Sequence, residues 1–567
     1  MYKQIFEKQR IRTGIVGTCL LLSAPCFADV SGRVTHKDDQ ALESCEVVLG
    51  QATGLTNAEG RFELPVPRSA ATADFDSLQI NCQGFAPRFV GLDSYDQVLS
   101  DINLKRPNFI LIVSDDQGWV QTSTQMDPED PDTKSDYLRT PNIDSLLAEG
   151  MRFVRGYSPG TYCLPTRRAI QTSQSTLRHV FNGRPVNDWT SAYKNLVTIP
   201  RVLKSVDPDY TTAHLGKWDL RFDDPLPESL GYDVSDGATG NGEGNVGSHR
   251  NEKGGLDKFK VNPAADPKMI FDLTRRASDF MEEQVQADRP FFLQLSHYAI
   301  HLSVFFKPTT YEEVLTWEKG ENHYIPSFAA MLKDLDDGIG LLSQKLKDLD
   351  IQDNTYIIFM GDNGGRATQN LVDGKATERL NYPLSAGKHS VYEGGIRVPF
   401  GIVGPGIETN SVTNTAISGV DILPTIADIV DSKLELTDID GGSVKDLLYQ
   451  ESDTVLRPQP FLVFHDKSGR SKTEPEFESE PESESESESE SESENGDSES
   501  ALIQGDFKLI KTWKNGAQRT AELYNIAKDK EERFDLADAL PDKTATLAKL
   551  LDDYIAEVGG DVTIQTD

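Results

Sequence analysis

Arg106-Pro107-Asn108-Phe109-Ile110-Leu111-Ile112-Val113-Ser114-Asp115-Asp116 carries five unbroken apolar residues onto two carboxylates. An apolar run without alternation marks a parallel strand buried on both faces. Two later runs repeat it, Phe291-Phe292-Leu293-Gln294-Leu295 and Tyr356-Ile357-Ile358-Phe359-Met360. Helical stretches lie between them, at residues 269–284 and 327–346. Strands alternating with helices predict an α/β fold with a large, mixed, mostly parallel sheet flanked by helices. Polar clusters follow the carboxyl ends of these strands, where open α/β sheets bind ligands.

Outward from this frame the character changes on both sides. Residues 29–104 read as all-β. Val30-Ser31-Gly32-Arg33-Val34-Thr35, Cys45-Glu46-Val47-Val48-Leu49 and Gly60-Arg61-Phe62-Glu63-Leu64 are strands, with a turn at Asn57-Ala58-Glu59-Gly60. The pattern resembles the carboxypeptidase-regulatory-like β-sandwich. A Cys45–Cys82 disulfide suits so small a domain; two unpaired buried cysteines are the alternative. The α/β domain is assigned 105–435. Beyond it, 436–567 reads as a small α+β subdomain, with strands at Phe507-Lys508-Leu509-Ile510 and Glu522-Leu523-Tyr524 and a helix over 542–558. A Ser/Glu repeat at 474–500, with thirteen acidic residues, interrupts it. Like charges at that density cannot collapse, so it reads as a disordered spacer.

Residues 1–28 have a basic start, an apolar stretch from Ile15 to Leu22 and small residues before Ala28, the layout of a secretory signal. The expectation is an exported protein, periplasmic or secreted, with no membrane span. Lys and Arg number 57 against 91 Asp and Glu, a net charge of −34. That balance excludes nucleic acid as a partner.

Cys19 and Cys26 fall in the leader and Cys45 and Cys82 in the β module, leaving Cys163 partnerless inside Cys163-Leu164-Pro165-Thr166-Arg167. In an exported protein a lone thiol points to special chemistry. Ser114-Asp115-Asp116 and Gly361-Asp362-Asn363-Gly364 offer oxygen donors that suit a hard cation, and the lack of a His-rich set speaks against a zinc pair. Lys217, His301 and Lys388 add fixed cations and an imidazole that suit a small tetrahedral anion.

With Thr140-Pro141-Asn142-Ile143-Asp144, Gly216-Lys217-Trp218 and Tyr392-Glu393-Gly394-Gly395-Ile396-Arg397-Val398-Pro399, these stretches resemble the type I sulfatases of the alkaline-phosphatase superfamily. The resemblance implies that Cys163 is oxidised to formylglycine by a formylglycine-generating, sulfatase-maturing enzyme. It implies calcium, in preference to magnesium, held by Asp115, Asp116, Asp362, Asn363 and the modified Cys163. A hydroxyl of the hydrated aldehyde would attack sulfur and the other would expel sulfate. Arg167 would hold the diol, Lys217 and Lys388 would grip sulfate oxygens, and His301 would protonate the leaving alcohol. Two departures stand out. Asp219 occupies the place of the family's usual His; it could accept a proton there but not donate one as imidazolium does. His214 is a substitute on the other side of the lysine. Gln171-Thr172-Ser173 stands where Leu-Thr-Gly is common.

His297 is assigned a structural role, and His389 is left open. The polar stretches 127–136 and 237–255 are candidate substrate loops. The reading is hydrolysis of sulfate esters, with a sulfated polysaccharide or oligosaccharide as partner. The alternatives are phosphodiester or phosphonate hydrolysis and a catalytically impaired protein that binds sulfated glycans.

Overall fold

The computed structural model describes residues 27–67, 77–93, 97–179, 196–220, 225–251, 254–257, 260–366, 369–371, 375–377, 380–466, 498–514 and 517–560. The leader through residue 26, with Cys19 and Cys26, and residues 474–497 of the Ser/Glu repeat lie outside the described residues. The chain divides into two units: residues up to Ile80 with Phe89–Asn103, and Asn81–Arg88 with Leu104 onward.

The smaller unit is all-β. Phe27–His36 pairs antiparallel with Arg61–Pro67, and a second sheet runs Ala52–Leu55, Glu46–Leu49, Ser77–Asn81, Arg88–Gly91. Alternate residues are buried, among them Val30 and Val34, Val47 and Leu49, Leu78 and Ile80. At the expected turn, Asn57 Oδ1 accepts from the backbone N–H groups of Glu59 and Arg61. Gly60 follows at φ +75°, where a Cβ would come within 2.4 Å of the Val34 carbonyl. Only glycine fits that turn.

In the larger unit eight strands form one sheet. They are β1 (Asn108–Ser114), β2 (Met151–Phe153), β3 (Thr211–Gly216), β4 (Val234–Ser235), β5 (Phe291–Ser296), β6 (Thr355–Gly361), β7 (Phe400–Val403) and β8 (Ser411–Thr413), in the order β4-β3-β5-β1-β6-β7-β2-β8. From β4 to β6 all neighbours are parallel; β7 is antiparallel to both β6 and β2. The apolar runs are explained by two cores. Ile110, Ile112, Leu293, Leu295, Ile357 and Phe359 point into one, and Phe109, Leu111, Val113, Phe292, Ile358 and Met360 into the other. The first is covered by Ile270–Gln286 and Pro326–Asp348, the second by Ile422–Ile429. At roughly 25 cal/mol per Å² of apolar surface buried, this double burial is the main stabilising contribution.

The C-terminal region forms a four-stranded antiparallel sheet, Leu462–Asp466, Ser498–Gln504, Phe507–Lys514 and Ala517–Asn525. One face packs on Leu547, Leu551 and Tyr554 of the helix Pro541–Val558. The other packs on Tyr157, Val391 and Tyr392 of the α/β region. The assigned 474–500 spacer is therefore too long by three residues. Ser498, Glu499 and Ser500 are buried and open a strand paired with residues on both sides. The Ser-Glu alternation hides this, because a strand with polar faces reads like the repeat it continues.

Candidate active site

The four β-strand ends at the centre of the sheet converge. Asp115 and Asp116 follow β1, Lys217 follows β3, the His301 loop follows β5, and Asp362 and Asn363 follow β6. Cys163 enters from outside the sheet on the first turn of the helix Cys163–Thr172, every residue of which is buried. Tyr162 caps that helix from extended backbone. Pro165 is tolerated because the first-turn N–H groups have no intrahelical partner. Ser173 ends the helix at φ +56°, with its hydroxyl on the Val420 carbonyl at 2.6 Å. That left-handed position explains why glycine is usual there.

Cys163 Sγ lies 3.3 Å from Asp115 Oδ1 and 3.8 Å from Asp116 Oδ1, and Lys388 Nζ donates to it at 3.5 Å. It is the free cysteine among the described residues, whereas Cys45 and Cys82 are both buried and disulfide-bonded. Lys217 Nζ meets Asp115 Oδ2 at 2.8 Å and Asp219 Oδ2 at 3.4 Å, while Lys388 Nζ meets Asp116 Oδ1 at 2.8 Å. Arg167 Nε and Nη2 both donate to Asp362 Oδ2, at 3.1 and 2.7 Å, and Nη1 donates to the Lys217 carbonyl. His301 Nδ1 bonds the Leu302 carbonyl at 2.6 Å, which leaves Nε2 facing Asp116 Oδ2 at 3.8 Å.

These charges set one another. Burial, then Asp115 and Asp362, push the Cys163 thiol well up, so the unmodified side chain is a neutral thiol. Burial raises Asp115 against the pull of Lys217. Burial acts the same way on Asp116, but Lys388, His301 and Arg366 together outweigh it and hold that carboxyl well below its usual range. Burial opposes the charge on Lys217, yet Asp115, with Cys163 and Asp219, keeps it firmly protonated. Burial reinforced by Lys388 holds His301 well below the usual imidazole range.

Ligand atoms of Asp115, Asp116, Cys163 and His301 all lie within 4.8 Å of one another. Beside them Asp116 Oδ2 and Asn363 Oδ1 are buried without a hydrogen-bond partner. Orphaned carboxylate and amide oxygens at such a cluster are what a hard cation satisfies, so the residues fit a divalent ion. Asp362 is turned to Arg167 and to the Asp116 N–H, and Asn363 Nδ2 donates to Asp116 Oδ1. The Tyr392-Glu393-Gly394-Gly395 stretch braces this loop. Gly364 N–H donates to the Gly395 carbonyl at 2.9 Å, and a Cβ on Gly364 would come 1.9 Å from the Gly394 carbonyl. Glu393 is itself fixed between Arg397 and Lys508.

The other histidines separate cleanly. His214 hydrogen-bonds Ser296 Oγ and meets Trp218 and Tyr232 edge-on; burial, then Arg167, lowers it to about 3. It is held by this hydroxyl and the two aromatic rings. His297 is fully buried, which lowers it to about 4. His389 stacks on Tyr162. Of the two polar loops, 237–255 reaches the site: the Thr239 carbonyl accepts from Asp219 N–H, and Asn245 Oδ1 accepts from Ser303 N–H and Lys268 Nζ. Loop 127–136 is instead tied to Lys530 through Asp127 and Asp130. Lys268 and Arg366 carry no motif signal in the sequence and act on the carboxylates only through tertiary placement.

A buried cation, carboxylate and thiol cluster at the strand ends of this sheet defines a sulfuric ester hydrolase of the alkaline-phosphatase-like class. The sequence model of the Sulfatase family matches residues 107–432, and the chain belongs to that family. It is 26% identical to an N-acetylgalactosamine-6-sulfatase of Canis lupus familiaris over 387 residues, 62% of this chain and 69% of that protein. It is 28% identical to arylsulfatase A of Homo sapiens over 376 residues, 60% of this chain and 68% of that one. Among solved structures, Ps i-CgsB superposes with a TM-score of 0.59 at 23% identity, covering 79% of this chain and 92% of that one. The PsFucS1 sulfatase from Pseudoalteromonas sp. does so with a TM-score of 0.58 at 20% identity, covering 81% and 92%. At these identities the superpositions speak to the fold.

Proposed function

We propose that this chain is exported and removes sulfate from a sulfated polysaccharide or oligosaccharide, with residue 163 working as formylglycine. The observation that carries the reading is the buried charge balance around Cys163. Four buried carboxylates, Asp115, Asp116, Asp219 and Asp362, face three buried cations, Arg167, Lys217 and Lys388. Lys268 and Arg366 act on the same carboxylates from further out, and a divalent ion adds two positive charges, so the loaded site favours an anion. That suits the single negative charge of a sulfate ester, since an unbalanced buried charge is costly.

Asp115, Asp116, Asp362, Asn363 and residue 163 would hold calcium, with Asp362 oriented by Arg167. When present, calcium supplies positive charge that activates a hydroxyl, and the hydrated formylglycine supplies that hydroxyl as nucleophile. Lys217 and Lys388 hold two sulfate oxygens; Lys388, 3.5 Å from Sγ, also spans toward the ester oxygen. His301 keeps its Nδ1–H on the Leu302 carbonyl and turns Nε2 toward the departing alcohol; it protonates that oxygen only as imidazolium, after Nε2 has taken up a proton. Asp219 takes the proton that the family's His usually takes. The all-β unit is a carboxypeptidase-regulatory-like accessory module, stapled by Cys45 and Cys82.

Carbohydrate as substrate is supported by the similarity to an N-acetylgalactosamine-6-sulfatase. A phosphodiester carries the same single charge, so the deciding assay compares a sulfate monoester and a phosphate diester of one leaving group beside defined sulfated oligosaccharides. The protein is made together with a sulfatase-maturing enzyme. Sulfate release from an oligosaccharide is expected; a strong phosphate preference contradicts the proposal.

A further inference from the structure

Two side chains flank the reacting groups along the chain and play no part in the chemistry above. Tyr162 immediately precedes Cys163, and His389 immediately follows Lys388. Their rings stack, with centroids 5.0 Å apart and planes 30° from parallel. Both residues are half-buried, whereas Cys163, Lys217 and Asp115 beside them are buried. The half-buried pair is thus one residue along the chain from Cys163 and from Lys388, two of the groups that would meet the sulfate ester.

The plate is rigidly mounted. His389 N–H donates to the Thr161 carbonyl at 2.9 Å, Lys388 N–H donates to the Gly365 carbonyl at 3.0 Å, and the Thr161 hydroxyl donates to Asp466 of the C-terminal sheet. His389 adopts φ +67°, a left-handed conformation costly for a side chain with a Cβ. With that backbone the imidazole lies against the Tyr162 ring.

We propose that the stacked Tyr162–His389 pair is the platform on which the ring of the sulfated sugar lies while its sulfate sits between Lys217 and Lys388. The C–H face of a pyranose packs on an aromatic plane, and the polar edges of Tyr and His are suited to sugar hydroxyls. The platform rests on the carbohydrate reading above and deepens it: it accounts for recognition of the ring, where the lysines account only for the anion.

The test compares a cyclic and an acyclic ester on the same preparation, so that losses in folding or maturation cancel. The probes are monosulfated hexoses and hexosamines against ethyl sulfate, with wild type, Tyr162→Leu, Tyr162→Phe and His389→Ala. For Tyr162→Leu and His389→Ala the ratio of kcat/KM on sugar to kcat/KM on ethyl sulfate is expected to fall at least tenfold, through KM. Tyr162→Phe keeps the ring face and is expected to hold the ratio within threefold. Sugar turnover with an unchanged ratio in both truncating variants overturns the platform alone. Turnover of ethyl sulfate and of no sugar by the wild type overturns the carbohydrate reading, and the platform with it.

Discussion

At the scale of the residue, the site is a set of charges each affordable only because of its neighbours. Lys217 is fully buried between Asp115 and Asp219, and Arg167 is buried against Asp362. A buried charge stripped of its partner is strongly destabilising, so each such substitution has to be read for folding as well as rate. Lys217→Ala removes a preorganised cation from the sulfate; kcat is expected to fall about 10²–10³-fold, the range for losing one such donor. Asp219→Asn keeps the shape and removes the proton acceptor. Steady-state kinetics are expected to show kcat down by about 10² with KM nearly unchanged. A fall in KM with kcat intact would instead make Asp219 a charge that merely repels the substrate. Most of this cluster is legible in the sequence, because Asp115, Cys163, Lys217 and Asp362 each follow or open a recognisable element. Tyr162, Lys268 and Arg366 are not, since a half-exposed aromatic or a single cation carries no periodic or spacing signal.

At the scale of the element, the cysteine helix shows how a departure from pattern is absorbed. Ser173 holds a left-handed conformation that costs about 1–2 kcal/mol in a non-glycine residue, and its hydroxyl recovers about 0.5–1.5 kcal/mol through the Val420 carbonyl. The two nearly cancel. Ser173→Gly is therefore expected to leave the thermal midpoint almost unmoved, as read by calorimetry; a large gain would mean the hydrogen bond contributes nothing. The long helix Pro326–Asp348 contributes to the pH dependence through its buried carboxyls. Burial raises the Asp334 carboxyl to about 6, against hydrogen bonds from Thr310 and the Lys307 N–H. At Asp334 the folded state thus binds the proton more tightly than the unfolded chain, and the contribution of this carboxyl to stability falls as pH rises from about 4 to 6. Urea unfolding is expected to show Asp334→Asn gaining on wild type across that window and running parallel to it above. The apolar stripe placed this helix, but nothing in the stripe reveals that an acidic residue on it is buried.

At the scale of the whole molecule, the sheet, both cores and the late antiparallel subdomain follow from apolar runs that the sequence displays. The strand Ser498–Gln504 escaped because its first residues continue the Ser-Glu alternation. Calcium is expected to stabilise the α/β unit by mass action, about 2.7 kcal/mol at a hundredfold excess over its Kd. Chelation should lower the thermal midpoint and abolish sulfate release, with calcium restoring both better than magnesium. An unchanged midpoint and rate after chelation would remove the ion from the account.

The most direct measurement couples the mass of the peptide containing residue 163 to sulfate release in the same preparation. Across preparations made with and without the maturing enzyme, the rate should rise in proportion to the fraction of Cys163 converted to the aldehyde, and Cys163→Ala should be inactive. Equal turnover by protein whose residue 163 is entirely unconverted cysteine would contradict the account.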